Sequence, residues 1–139
     1  MGYYKLIKLN PIKTDGKPGM LTEININKIC RDNDLVFNVY KYFYINDLNS
    51  TESRGNHSNN NASEILICLQ GSFEIKLHNG IEEIIIKLNQ NEAIYIDKNI
   101  WITYYNFNNC VIMAFVSIYT TDKESCYDFN KFLSMNKQK

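Results

Sequence analysis

The sequence predicts an all-β sandwich or barrel closed by one short C-terminal helix. Three observations carry this reading. About ten short runs either alternate apolar and polar residues or are dense in β-branched and aromatic side chains. Turn-forming residues separate these runs at regular spacing, as in sandwiches and barrels. Only residues 125–135, with Tyr127, Leu133 and two phenylalanines, look helical. Pattern alone leaves a jelly roll and an immunoglobulin-like sandwich both open.

In chain order, residues 3–9 alternate loosely and predict a first strand. Residues 11–19 hold both prolines with Gly16 and Gly19 and form a loop. Met20, Thr22, Ile24 and Ile26 alternate and predict a second strand, followed by a polar connector over 27–34. Residues 37–45 are a strong strand and 46–53 a loop. The polar stretch from Arg54 to Asn59 leads into an apolar strand over 64–69, ended by Gly71 as a turn. Phe73, Ile75 and Leu77 alternate with Glu74, Lys76 and His78, giving one apolar and one polar face. Asn79-Gly80 marks a hairpin, and the chain returns over 84–88. Residues 93–96 and 101–105 are strands, with turns at 89–92, 97–99 and 107–109. Residues 110–119 form a long apolar strand, and the tail over 134–139 is expected to fray.

Composition narrows the class. At 139 residues the chain reads as one domain over 1–139, and 45% hydrophobic content supplies a core. Fifteen basic residues balance fifteen acidic ones, so no charge excess points to nucleic acid. No apolar run approaches the ~20 residues that span a bilayer, and residues 1–10 are too polar for a signal peptide. The four cysteines, Cys30, Cys68, Cys110 and Cys126, form no C-x-x-C pair and read as buried reduced thiols, pointing to a cytoplasmic protein.

His57, Asn59, Glu64 and Gly71 stand at intervals of two, five and seven residues. This resembles the first cupin motif, with Asn59 at the place of its second histidine. About 20 residues after Gly71, Asn91, Asp97, Asn99, Ile102 and Asn106 keep the register of the second motif. Asparagine stands where that motif has glycine, and asparagine tolerates positive φ next best after glycine. The resemblance implies a cupin-type double-stranded β-helix, a jelly roll.

Further residues narrow the resemblance. Arg54-Gly55-x-His57, the run Ile65-Leu66-Ile67-Cys68-Leu69-x-Gly71-Ser72, Trp101 and Tyr127-Asp128 together resemble the bacterial nucleotide-sugar 3,4-ketoisomerases over residues 3–133. Such proteins act on dTDP-4-keto-6-deoxyglucose, moving a ketone from C4 to C3 toward amino sugars of surface polysaccharides such as lipopolysaccharide. The resemblance implies a homodimer that exchanges N-terminal strands over 3–26, a dTDP-linked sugar as ligand, and no metal or other cofactor. The residues agree on the last point: of His57, Asn59, Glu64 and Ile102, only two are good metal ligands.

Ketone migration requires a base with affinity for protons near neutrality, donors for the enediolate oxygens, and cations for the diphosphate. Carried over by position, His57 and Asn59 occupy the catalytic pair. Tyr104 lies two residues after Ile102, on the same face, and is a candidate to share proton transfer. Arg54, Lys41, Tyr44, Glu64 and Trp101 are the candidate substrate-binding residues. Asn59 cannot act as a base, nor can Ile102. The sequence therefore leaves two alternatives beside the ketoisomerase: a sugar-nucleotide-binding cupin without catalysis, and another sugar isomerase or epimerase on the same scaffold.

Overall fold

Two long antiparallel strands organise the chain. The structure, a computed structural model, describes residues 2–49, 51–118 and 124–136. Within these, the elements follow in the order β1 (Tyr4–Lys8), α1 (Ile26–Asp32), β2 (Lys41–Leu48), β3 (Arg54–Asn59), β4 (Glu64–His78), β5 (Glu83–Asn89), β6 (Glu92–Ile96), β7 (Trp101–Val116), β8 (Ser125–Cys126) and α2 (Phe129–Asn136). β4 and β7 pair from Glu64 opposite Val116 to His78 opposite Trp101. The first half of β4 is flanked by β6, which pairs in turn with β1 of the same chain. Its second half is flanked by β5. On its other side β7 meets β3 near its start and β2 near its end, and β8 closes against β3. Two layers therefore share β4 and β7: β1-β6-β4-β7-β2 and β5-β4-β7-β3-β8. This is the expected jelly roll.

The sharing depends on bends within both long strands. The sequence predicts a turn at Gly71 and another at 107–109. Both are instead irregularities inside continuous strands. Pairing shifts between Cys68 and Glu74 on β4, Gly71 has φ +71°, and Asn106 and Asn109 on β7 have φ of 52° and 44°. A bulge bends a strand while letting it continue. Local composition shows the same residues for a bend as for a chain reversal, which is why two strands were expected where each long one stands. Asn91 and Asn99, at φ of 67° and 61°, take the left-handed backbone expected of them at their motif positions.

Three clusters fill the molecule. Leu66, Phe73, Ile75, Leu77, Ile94, Ile102 and Ile112 are among the buried residues between the layers. The outer face of the first layer, with Ile65, Ile67 and Phe115, packs against Ile29 and Cys30 of α1 and Phe37. The outer face of the second carries Trp101 and Cys126 against Phe132 of α2. All four cysteines are buried and none is in a disulfide.

The N-terminal third departs most from expectation. Residues 20–26 are not a strand; Leu21 makes only an isolated bridge to Ile12. The polar connector over 27–34 is largely helix α1. Asn25 caps it by accepting a hydrogen bond from the Lys28 amide. Ile26, Ile29 and Cys30 then recur at helical spacing and press on the sheet. At seven residues the helix is too short to stand alone, so tertiary burial decides its existence. The strand expected over 37–45 begins at Lys41 and runs to Leu48. The expected helix over 125–135 is split: Ser125 and Cys126 pair with β3, and α2 starts at Phe129. Residues 134–136 belong to that helix rather than to a frayed tail, and Asn136 is buried. Residues 119 and 137–139 lie outside the described residues.

Candidate active site

A cavity of about 330 Å³ is lined by residues of both layers. Its wall and floor are Phe43 and Ile45 of β2, Leu66 of β4, and Ile112, Ala114 and Val116 of β7. Its polar groups come from five strands and the segment after β8. Lys41 lies on β2, Arg54, His57 and Asn59 on β3, Glu64 on β4, Tyr104 on β7, Ser125 on β8, and Tyr127 just beyond.

A bulge on β3 assembles three of these. Side chains alternate along a strand, so Arg54 and His57, three residues apart, would face opposite ways. Pairing with β7 shifts between Gly55 and His57. Gly55 takes φ +87° and Asn56 φ 54° there. The extra residue flips the parity, and Arg54, His57 and Asn59 all line the cavity. Glycine suits this place: a Cβ on Gly55 would sit 3.0 Å from the Ile102 carbonyl oxygen.

The structure brings together six of the eight residues expected in the site and leaves two outside. Tyr44 is 66% exposed. Lys41, Phe43 and Ile45 face the cavity, and the two-residue period turns Tyr44 to the opposite side of β2. Trp101 is 8% exposed but faces away from the cavity, with its ring centroid 5.1 Å from Phe129 and 5.7 Å from Phe132. It anchors α2 on the outer face. Sequence reasoning missed Ser125 and Tyr127 as cavity residues. Ser125 Oγ donates to Asn59 Oδ1 at 3.2 Å, and the Tyr127 ring lies 5.5 Å from the His57 ring. The dipeptide Tyr127-Asp128 was legible as part of the family resemblance, but no local pattern aims its ring at His57.

Glu64 is the electrostatic centre. It is 7% exposed. Asn59 Nδ2 donates to its Oε1 at 2.8 Å, and the Tyr104 hydroxyl approaches Oε2 at 3.5 Å. Burial pushes its carboxyl above the usual range, against the opposing pull of His57, of the Asn59 and Tyr104 hydrogen bonds, and of Lys41. Tyr104 is raised well above the ordinary phenol value, first by burial and then by the neighbouring Glu64, with Arg54 acting against the shift. The raised value favours the phenol form, in which the Tyr104 hydroxyl faces Glu64 Oε2. Among the described residues no group of three or more His, Cys, Asp or Glu stands together as a metal site. No helix among them is long and apolar enough to cross a membrane.

The raised Glu64 has a consequence for stability. A carboxyl whose folded value exceeds its unfolded value of about 4.3 binds more protons in the folded state between the two. Its favourable contribution is present below the unfolded value and is lost as pH rises through the folded one. Glu64→Gln is therefore expected to melt higher than the parent at pH 8, by about 4 °C for each kcal/mol of relieved burial. The gap should shrink toward pH 4. Scanning calorimetry at both pH values checks this, and a gap that does not change with pH would refute it.

A jelly roll with a polar cluster lining a cavity between its layers is the architecture of a cupin-type protein. A family model described as "FdtA: WxcM-like, C-terminal" matches residues 3–137, and the chain belongs to this family. It is 30% identical over 122 residues, 84% of each chain, to TDP-4-oxo-6-deoxy-alpha-D-glucose-3,4-oxoisomerase of Aneurinibacillus thermoaerophilus. Among solved structures it is similar to a mutant of the 3,4-ketoisomerase QdtA from Thermoanaerobacterium thermosaccharolyticum, in complex with TDP-4-keto-6-deoxyglucose. The TM-score is 0.84 at 27% identity, over 100% of this chain and 97% of that one. WlaRA, a TDP-fucose-3,4-ketoisomerase from Campylobacter jejuni, matches with a TM-score of 0.80 at 31% identity, over 98% and 96% of the two chains.

Proposed function

We propose that the protein is a TDP-sugar 3,4-ketoisomerase that converts a TDP-4-keto-6-deoxyhexose to its 3-keto isomer in bacterial deoxysugar synthesis. The observation that carries this reading is the convergence on one cavity of an imidazole, a buried carboxyl and two cationic side chains, in a chain of this family. His57 is the base that takes the proton from C3, next to the carbonyl. Tyr104 donates toward the sugar oxygens on which charge develops as the ketone migrates. Arg54 and Lys41 hold the diphosphate. The apolar wall takes the 6-methyl side of the sugar.

Incubation with TDP-4-keto-6-deoxyglucose, followed by NMR, tests the reading. The carbonyl signal should move from C4 to C3. Arg54→Ala is expected to weaken TDP binding by about 1.5–3 kcal/mol, the range for a hydrogen bond to a charged group, or roughly ten- to a hundredfold by calorimetry. Arg54→Lys should not restore it, because an ammonium cannot reproduce the guanidinium fork. Absence of any TDP binding by the parent at millimolar concentration sinks the proposal. A sugar-nucleotide-binding role without catalysis is the second reading, favoured by Asn59 and Ile102 at two expected histidine positions. Binding without conversion in the same experiment would select it.

A further inference from the structure

Moving a ketone between neighbouring carbons moves two protons. One passes from C3 to C4, and the other from the C3 hydroxyl to the C4 oxygen. His57 is the one imidazole among the described residues that line the cavity. Asn59 carries no group that acts as an acid or base near neutral pH. The Tyr104 hydroxyl faces Glu64 Oε2 at 3.5 Å, and burial and Glu64 raise its pKa further, making it a much weaker acid than a carboxyl. Glu64 is the one carboxyl among those lining residues.

Its setting is built rather than incidental. Ser125 Oγ donates to Asn59 Oδ1, and Asn59 Nδ2 donates to Glu64 Oε1 at 2.8 Å. This relay runs across β8, β3 and β4 and fixes the carboxyl plane. Oε1 is thereby engaged. Among the described residues Oε2 has the 3.5 Å contact with Tyr104, at the weak limit of a hydrogen bond. Of the two carboxyl oxygens it is the more loosely held. Lys41 from β2, Arg54 and His57 from β3, Tyr104 from β7 and Tyr127 after β8 are the other charged or titratable groups of the cavity.

We propose that Glu64 is the second proton carrier of this site, serving the two sugar oxygens through Oε2 while His57 serves the two carbons. The proposal rests on the ketoisomerase reading above. In the first half-reaction the C3–H bond breaks and its proton passes to His57, while the Glu64 carboxylic acid gives its proton to the C4 oxygen. The product is a neutral enediol. In the second, Glu64 Oε2 takes the proton of the C3 hydroxyl and His57 returns its proton to C4. The C3 carbonyl forms, and both side chains regain their starting states. Burial favours the protonated carboxyl that the first step needs. In this account Asn59 is a positioning residue, and the proton work expected of an imidazole at position 59 falls to its hydrogen-bonded neighbour.

Steady-state conversion of TDP-4-keto-6-deoxyglucose by the parent, Glu64→Gln, and the double variant Glu64→Gln/Asn59→His tests the assignment. Glutamine keeps the acceptor for Asn59 but carries no exchangeable acid. Glu64→Gln should lower kcat by about a hundredfold or more, in the range for loss of a general acid–base group, with KM within about threefold. Adding Asn59→His should recover at least about tenfold, because an imidazole then stands beside position 64. If Glu64→Gln keeps kcat within about threefold, the inference is overturned while the ketoisomerase reading stands. A loss that Asn59→His does not reverse assigns Glu64 to holding Asn59 alone and also overturns it. An inactive parent overturns the ketoisomerase reading, and this inference falls with it.

Discussion

His57→Asn is expected to leave TDP-sugar affinity within about tenfold while turnover falls by at least about a hundredfold. His57 lies on β3, half-buried at the cavity wall, with its ring 5.5 Å from that of Tyr127. Histidine is the side chain whose ordinary titration range suits proton abstraction near neutrality. Asparagine at this position still hydrogen-bonds a sugar hydroxyl but takes no proton. The substitution leaves untouched Arg54, Lys41 and the apolar wall, the groups proposed to bind the TDP-sugar. Loss of a general base costs about 10²–10⁴-fold in rate, so the effect should fall on kcat. Calorimetry with TDP and NMR progress curves separate the two quantities. Full turnover in His57→Asn would show that the base lies elsewhere.

Gly71→Ala is expected to cost about 3 kcal/mol or more, a melting-point drop on the order of 10 °C. Gly71 sits at the bend of β4 with φ +71°. An added Cβ would lie 2.0 Å from the Asn108 carbonyl oxygen and 2.4 Å from that of Asn109. Both are backbone atoms of β7, so no side-chain rotation relieves the overlap. The two long strands would have to separate where they bend together. Gly16→Ala is the control. Gly16 also has positive φ, at +74°, but nothing lies within 4 Å of its Cβ position. That variant should lose only the backbone strain term, about 1 kcal/mol. Chemical denaturation of both variants checks the difference, and equal losses would place the cost in φ rather than in the close approach.

The strands around the lumen were legible because each carries a two-residue period on a half-buried surface. Phe73, Ile75 and Leu77 face the core and are fully buried, as their alternation implied. The motif spacing from His57 to Gly71 groups His57, Asn59 and Glu64 from the sequence alone, and all three line the cavity. Asn91, Asn99 and Asn106 held the second motif in register, and all three take positive φ. Helix α1 was not legible. Two turns of helix carry too little periodic signal, and its formation depends on burying Ile29 and Cys30 against a sheet that is distant in sequence.

What the sequence by itself determined was the alternation of faces, the turn and bend positions, and the residue types available for chemistry. Only the tertiary structure decided which face looks into the lumen. Alternation shows that two faces differ, but here both faces of several strands are covered, one by the opposite layer and the other by a helix. Trp101 is thus buried under α2 rather than in the cavity, and Tyr44 lies on the outside of β2. The one-residue bulge at Gly55 and Asn56 is equally non-local. It reverses the parity of β3 through its pairing with β7, and so aims Arg54 and His57 at one cavity. Spacing along the chain supplied the groups, and strand pairing across the layers decided which of them meet.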